Sequence, residues 1–116
     1  MIVKPWGWYR DIERKRNYVV KELFIRSGES ISLQYHNLRK EWWHVLSGDG
    51  ELFTAKNIND PIVHCYVKTG DTISIDLKQI HRVTAKIGSD LRILEVQYGK
   101  CREDDIVRLD DFYGRT

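Results

Sequence analysis

Apolar and polar residues alternate along most of this chain, and almost nowhere do they repeat at helical spacing. Alternation sends successive side chains to opposite faces of a strand, whereas a helix needs apolar positions at i, i+3, i+4 and i+7. The alternation predicts strands over residues 18–26, 30–36, 41–46, 50–56, 62–68, 72–75, 82–87 and 91–98. Turn residues separate them: Ser27-Gly28, Ser47 to Gly50, Asn57 to Pro61, Thr69 to Asp71 and Gly88 to Asp90. Short strands at spacings of about 8–12 residues make an all-β sandwich or barrel. With no repeat and no low-complexity linker, one domain over 1–116 is expected, with an N-terminal arm (1–10) and a C-terminal acidic and aromatic segment (102–116). Trp6, Trp8 and Tyr9 are expected to pack the first arm. The second is a short helix or an ordered arm, with Ile106, Val107, Leu109, Phe112 and Tyr113 to dock it.

Composition narrows the class. A chain of 116 residues, 41% hydrophobic and 31% charged, is globular rather than disordered. Its 19 basic and 17 acidic residues are intermixed and sum to +2, so no nucleic-acid footprint is expected. No apolar run approaches the roughly 20 residues that span a bilayer. Met1 to Arg10 carries no apolar core of a leader, so cytoplasmic residence is expected. Cys65 and Cys101 form no metal-type pair and read as reduced, partly buried thiols.

Strand parity then locates the chemistry. Gln34 and His36 are two apart and share a face. Glu41 opens the next strand and meets that pair if the strands are antiparallel neighbours. His81 follows a short strand after Gly70 and a loop. Such a mixed N/O set suits Zn²⁺, and also Mn²⁺, Fe²⁺ or Co²⁺, as a Lewis acid with open positions. For a single histidine the ordinary reading is a surface or hydrogen-bonded ring. Glu41 shares its face with Trp43 and Val45, which turns His44 away and makes it a non-ligand. Trp42 and Leu46 then face outward, which suggests a homodimer contact, with packing of the other sheet as the alternative. His64 reads as a surface or interface residue. Lys21 has the parity of Leu23 and Ile25; either it is buried with a partner or its stem packs while the amine reaches solvent. Glu95 is a base or a core carboxylate, and parity does not choose, because both faces of its strand are apolar. Arg39 sits in a loop. Arg108 and Arg115 carry forks suited to phosphate, or pair within the acidic run, chiefly Arg108.

Gly28, Gln34, His36, Glu41 and Gly48 fall at the spacing of the first cupin motif, with Gln34 in the place of its first His. Gly70 and His81 keep the spacing of the second, in which Asp76, Lys78 and Ala85 replace the usual Pro, Gly and Asn. The run Gln34-x-His36-x-x-Arg39-x-Glu41-x-Trp43 resembles the signature of type II phosphomannose isomerases, commonly the C-terminal domain of bifunctional mannose-6-phosphate isomerase/mannose-1-phosphate guanylyltransferases. Lys4-Pro5-Trp6-Gly7 at the start, and Glu95-Val96-Gln97 and Glu103 to Arg115 at the end, resemble the same domain. Asn37, Leu38 and Trp42 stand where that family often carries His.

The resemblance implies a cupin double-stranded β-helix, a jelly-roll barrel, with a divalent metal on Gln34, His36, Glu41 and His81. Zn²⁺ is the first choice, and Mn²⁺, Co²⁺ or Fe²⁺ are the alternatives. It implies interconversion of mannose 6-phosphate and fructose 6-phosphate. Arg39, Lys21, Glu95 and Arg115 then serve in catalysis, and Arg39, Lys21, Arg108 and Arg115 bind the phosphorylated sugar. Another sugar-phosphate or nucleotide-sugar isomerase or epimerase, or a non-catalytic sugar-binding cupin, are the alternatives. Guanylyl transfer is not expected from these residues, so a separate guanylyltransferase is a possible partner.

Overall fold

The structure, a computed structural model, describes residues 1–116 and contains strands and turns but no helix. The strands are β1 (Ile2–Lys4), β2 (Gly7–Arg14), β3 (Tyr18–Ile25), β4 (Leu33–Tyr35), β5 (Arg39–Ser47), β6 (Asp49–Ala55), β7 (Val63–Lys68), β8 (Thr72–Ile75), β9 (Ile80–Ala85), β10 (Leu91–Gly99) and β11 (Val107–Asp110). All pair antiparallel. One sheet runs β1-β2-β3-β10-β5-β8 and the other β11-β4-β9-β6-β7. Their inner faces pack together as the expected jelly roll.

The inner face of the first sheet follows the parity of the sequence. Val19, Lys21, Leu23 and Ile25 of β3, Glu41, Trp43 and Val45 of β5, and Leu91, Ile93, Glu95 and Gln97 of β10 are all buried. The strand register then divides this face along its length. Leu91 lies opposite Ile25 and Ile93 opposite Leu23, whereas Glu95 lies between Lys21 and Trp43, and Gln97 lies opposite Glu41. One half of the sandwich is therefore aliphatic, completed by Val83, Ala85 and Leu52 from the other sheet. The other half is polar. Each fully buried aliphatic chain contributes about 1.5–3 kcal/mol, and this apolar half offsets the burial of charge in the polar one.

Two segments depart from expectation, and a third takes one of its two expected forms. The N-terminal arm is a β1–β2 hairpin, and β2 pairs along β3. Residues 7–14 are too charged to look like a strand, and they become one because β3 offers an unpaired edge. Within 30–36 only Leu33–Tyr35 is strand, plus a bridge from Ser30 to Thr84. The acidic C-terminal segment contains no helix; it is an ordered arm that ends as β11 on β4, with Arg108 opposite Gln34.

The expected turn at Ser47 to Gly50 contracts to one residue. Gly48 alone joins β5 to β6, at φ +99°, and a Cβ there would lie 2.1 Å from the Asp90 carbonyl oxygen. Only glycine can pass the chain between sheets at this point. Cys65 is exposed rather than partly buried, and Cys101 is partly buried. No helix is long and apolar enough to cross a membrane.

Candidate metal centre

The polar half of the sandwich gathers donors from both sheets. His36 follows the end of β4 and His81 lies near the start of β9; Glu41 comes from β5 on the opposite sheet. Ligand atoms of His36, Glu41 and His81 all lie within 4.8 Å of one another, and all three residues are buried. Gln34 lies opposite His81 on the neighbouring strand and, with His36, lines a cavity. Ser32 donates its hydroxyl to Gln34 Oε1 at 3.3 Å.

Backbone carbonyls fix both rings. His36 Nδ1–H donates to the Asp105 carbonyl at 2.6 Å, and His81 Nδ1–H donates to the Gln79 carbonyl at 2.9 Å. Each ring thus turns its Nε2 lone pair toward Glu41, at 3.2 Å from Oε2 for His36 and 3.8 Å from Oε1 for His81. His81 Nε2 has no hydrogen-bond partner although it is buried. Burial pulls the His36 imidazole down to about 3, helped by the charges of Arg39 and His81. Burial likewise pulls His81 down to about 4. Two neutral imidazoles therefore direct lone pairs at a carboxylate, an acceptor-to-acceptor arrangement that a divalent cation satisfies. The donor set fits such an ion.

Arg39 is not the loop residue expected. It opens β5 and its guanidinium is buried. Nε donates to Glu41 Oε2 at 2.9 Å, Nη2 faces His36 Nε2 at 3.3 Å and Nη1 donates to the Arg102 carbonyl at 3.0 Å. Its donors are engaged with the centre and the C-terminal arm, so it balances the Glu41 charge.

Glu95, undecided by parity, points inward. Trp43 Nε1–H is shared between Glu41 Oε1 (3.1 Å) and Glu95 Oε1 (3.3 Å), and Gln97 Nε2 donates to Glu95 Oε2 at 3.3 Å. Burial and the adjacent Glu41 charge push the Glu95 carboxyl up to about 8. A carboxyl poised near neutrality can both take and return a proton.

The cavity beside these groups has a volume of about 130 Å³. Lys21, Arg108 and Arg115 line it. Lys21 is buried, as its parity allowed, and its partner is Glu103. Ion pairing, the alternative weighed chiefly for Arg108, falls to Arg115 instead. Arg115 binds Asp111 through two hydrogen bonds of 2.8 Å, whereas Arg108 has no ion pair and its buried Nε lacks a partner. His44 lies off the centre, stacked on Trp42, and His64 is an exposed residue paired with Glu51 at 2.8 Å. Sequence reasoning expected the arm to dock but missed the roles of Asp105 and Glu103 within its acidic run. The only available signal was the apolar residues flanking that run, which require it to dock.

Solved structures define the class. The chain superposes on the capsular polysaccharide assembling protein CapF of Staphylococcus aureus with a TM-score of 0.81, at 18% identity over 93% of this chain and 31% of that one. It superposes on oxalate decarboxylase of Bacillus subtilis with a TM-score of 0.81, at 17% identity over 99% of this chain and 31% of that one. These establish the cupin fold. Residues 1–111 match the family described as mannose-6-phosphate isomerase C-terminal, and the chain belongs to that family. It is 34% identical to the alginate biosynthesis protein AlgA of Pseudomonas putida, over 99% of this chain and 23% of the relative. It is 32% identical to the mannose-1-phosphate guanylyltransferase ManC of Salmonella typhimurium, over 99% of this chain and 23% of the relative. The chain thus spans about a quarter of the length of these relatives.

Proposed function

We propose that this chain interconverts mannose 6-phosphate and fructose 6-phosphate. The observation that carries the reading is the buried His36–Glu41–His81 cluster with the Glu95 carboxyl beside it, open to one cavity. Aldose–ketose isomerisation moves a proton from C2 to C1 while another passes from the C2 hydroxyl to the C1 oxygen, and Glu95 carries the carbon-bound proton. Trp43 and Gln97 hold its two oxygens, so the same carboxyl faces both carbons in turn. Gln34, His36, Glu41 and His81 hold a divalent ion, Zn²⁺ foremost, which when bound stabilises negative charge on the oxygens of C1 and C2. Arg39 holds Glu41 Oε2 in place through its Nε–H.

Lys21 serves the phosphate, Arg108 lines the sugar cavity, and Arg115 braces the arm through Asp111. A second copy covers the outer face of β5, which carries Trp42 and Leu46, the latter 41% exposed. Residence is cytoplasmic, and guanylyl transfer belongs to a different polypeptide segment or protein.

The test is a coupled assay of fructose 6-phosphate formation from mannose 6-phosphate, before and after chelation and after restoring Zn²⁺, Mn²⁺ or Co²⁺. Metal-dependent turnover that is lost in His36→Ala and Glu95→Gln supports the reading. No turnover in a fully metal-loaded protein refutes it.

A further inference from the structure

We propose that Lys21, Arg14 and Tyr9 build an anion site at the mouth of the cavity, that the Glu103 carboxylate occupies it in the free protein, and that the phosphate of a phosphorylated sugar displaces Glu103. The substrate part of this inference rests on the reading above. The anion site itself rests on geometry.

Lys21 Nζ lies 2.5 Å from Glu103 Oε1 and 4.3 Å from the centroid of the Tyr9 ring. Arg14 Nη2 donates to the same Oε1 at 3.1 Å, and the Tyr9 hydroxyl donates to Oε2 at 3.4 Å. An ammonium, a guanidinium and a phenol thus converge on one carboxylate. The two ends of the Lys21–Glu103 contact differ greatly in exposure. The Lys21 side chain is 4% exposed, whereas that of Glu103 is 48% exposed. A buried ammonium needs an anion beside it, whereas a half-exposed carboxylate regains hydration when another anion takes its place.

The backbone around Glu103 is anchored independently of its side chain. The Arg102 carbonyl accepts from Arg39 and the Cys101 carbonyl accepts from Arg14. The Asp105 carboxylate accepts the amides of Asn37 and Leu38 at 3.0 and 2.9 Å. Rotation of the Glu103 side chain therefore clears the site without moving the arm. Clearance also supplies room, since the cavity of about 130 Å³ falls below the roughly 300 Å³ at which small-molecule sites usually begin. A phosphate monoester brings a charge of about −1.5 to −2 and three acceptor oxygens, which answers three convergent donors better than a carboxylate does. Glu103 thus keeps Lys21 paired between turnovers and competes with the incoming phosphate.

Isothermal titration of the full chain with inorganic phosphate and, separately, with mannose 6-phosphate tests this. Removing the competing charge in Glu103→Gln is expected to tighten both ligands about tenfold. Lys21→Met is expected to weaken both by at least that factor. If Glu103→Gln folds poorly without phosphate, Glu103→Asp, whose carboxylate falls short of Lys21, gives a smaller tightening in the same direction.

Equal affinity in wild type and Glu103→Gln, or unchanged binding in Lys21→Met, overturns the proposal. Tightening of inorganic phosphate alone, with mannose 6-phosphate unaffected, overturns the displacement by substrate. Tightening of both ligands in a protein that does not isomerise mannose 6-phosphate upholds the anion site and removes the isomerase reading. Isomerisation with phosphate affinity indifferent to Glu103 removes the anion site alone.

Discussion

Asp105→Ala separates a docked C-terminal arm that shapes the metal centre from one that merely lies on it. The Asp105 carboxylate accepts the amides of Asn37 and Leu38, and its carbonyl receives His36 Nδ1–H. Asp105 is 8% exposed, so its removal leaves two amides without their acceptor. A hydrogen bond to a charged group contributes about 1.5–3 kcal/mol. Asn37 and Leu38 are exposed, and water replaces part of that, so the loss is set at about 2 kcal/mol in total. For a domain of this size it lowers Tm by about 8 °C. With the arm loosened, the carbonyl no longer fixes the His36 tautomer, and disturbing such a partner costs about 10–100-fold in metal affinity.

Thermal unfolding of the metal-free protein, zinc titration against a competing chelator, and nitrogen NMR of the His36 ring measure the three effects. Asp104→Ala is the control. Asp104 is the next residue along, 71% exposed in its side chain and paired only with Arg102, and its loss should cost less than about 0.5 kcal/mol. If Asp105→Ala matches Asp104→Ala in Tm, zinc affinity and His36 tautomer, the arm does not position the centre.

Glu95→Gln should lower kcat about 10²–10⁴-fold with metal content unchanged; loss of metal along with activity would make Glu95 structural. The metal-free protein should be most stable near pH 6.5, as measured by urea unfolding. His36 at about 3 and His81 at about 4 stay neutral in the fold while their unfolded forms protonate below about 6.5, so stability falls as pH drops through that window. Glu95, at about 8 in the fold, holds a proton that the unfolded chain has lost, so stability falls as pH rises from about 4.5 to 8. With two histidines against one carboxyl, each limb slopes by about 1.4 kcal/mol per pH unit at its steepest, and Glu95→Gln should abolish the alkaline limb. A monotonic rise from pH 5 to 8 in the parent protein would contradict the Glu95 assignment. Gly48→Ala should cost about 3 kcal/mol, from a left-handed φ and a Cβ driven onto the Asp90 carbonyl; a Tm within 2–3 °C of the parent would show that the β5–β6 crossing has slack.

The sequence by itself determined the class of fold and the residues that meet at the candidate metal centre. Alternation is a local property, so β3, β5, β6, β7, β8, β9 and β10 were legible from residues a few positions apart. The inward face of Glu41, Trp43 and Val45 was equally legible, as were the spacings of Gln34, His36, Glu41 and His81.

Partners across the fold were not legible. Glu95 has apolar neighbours on both faces of its strand, and only pairing with β3 and β5 turns it toward Lys21 and Trp43. Residues 7–14 form a strand because β3 has a free edge, which no local pattern records. The His36 ring is fixed by a backbone carbonyl of Asp105, and every residue carries a carbonyl, so side-chain chemistry leaves no trace of that contact. The exchange of pairing between Arg108 and Arg115, and the Glu103 carboxylate on a lysine 82 positions away, follow from where β11 docks on β4. Period-2 patterning is written in nearest neighbours, whereas charge pairing depends on distances that exist only after the sheets close.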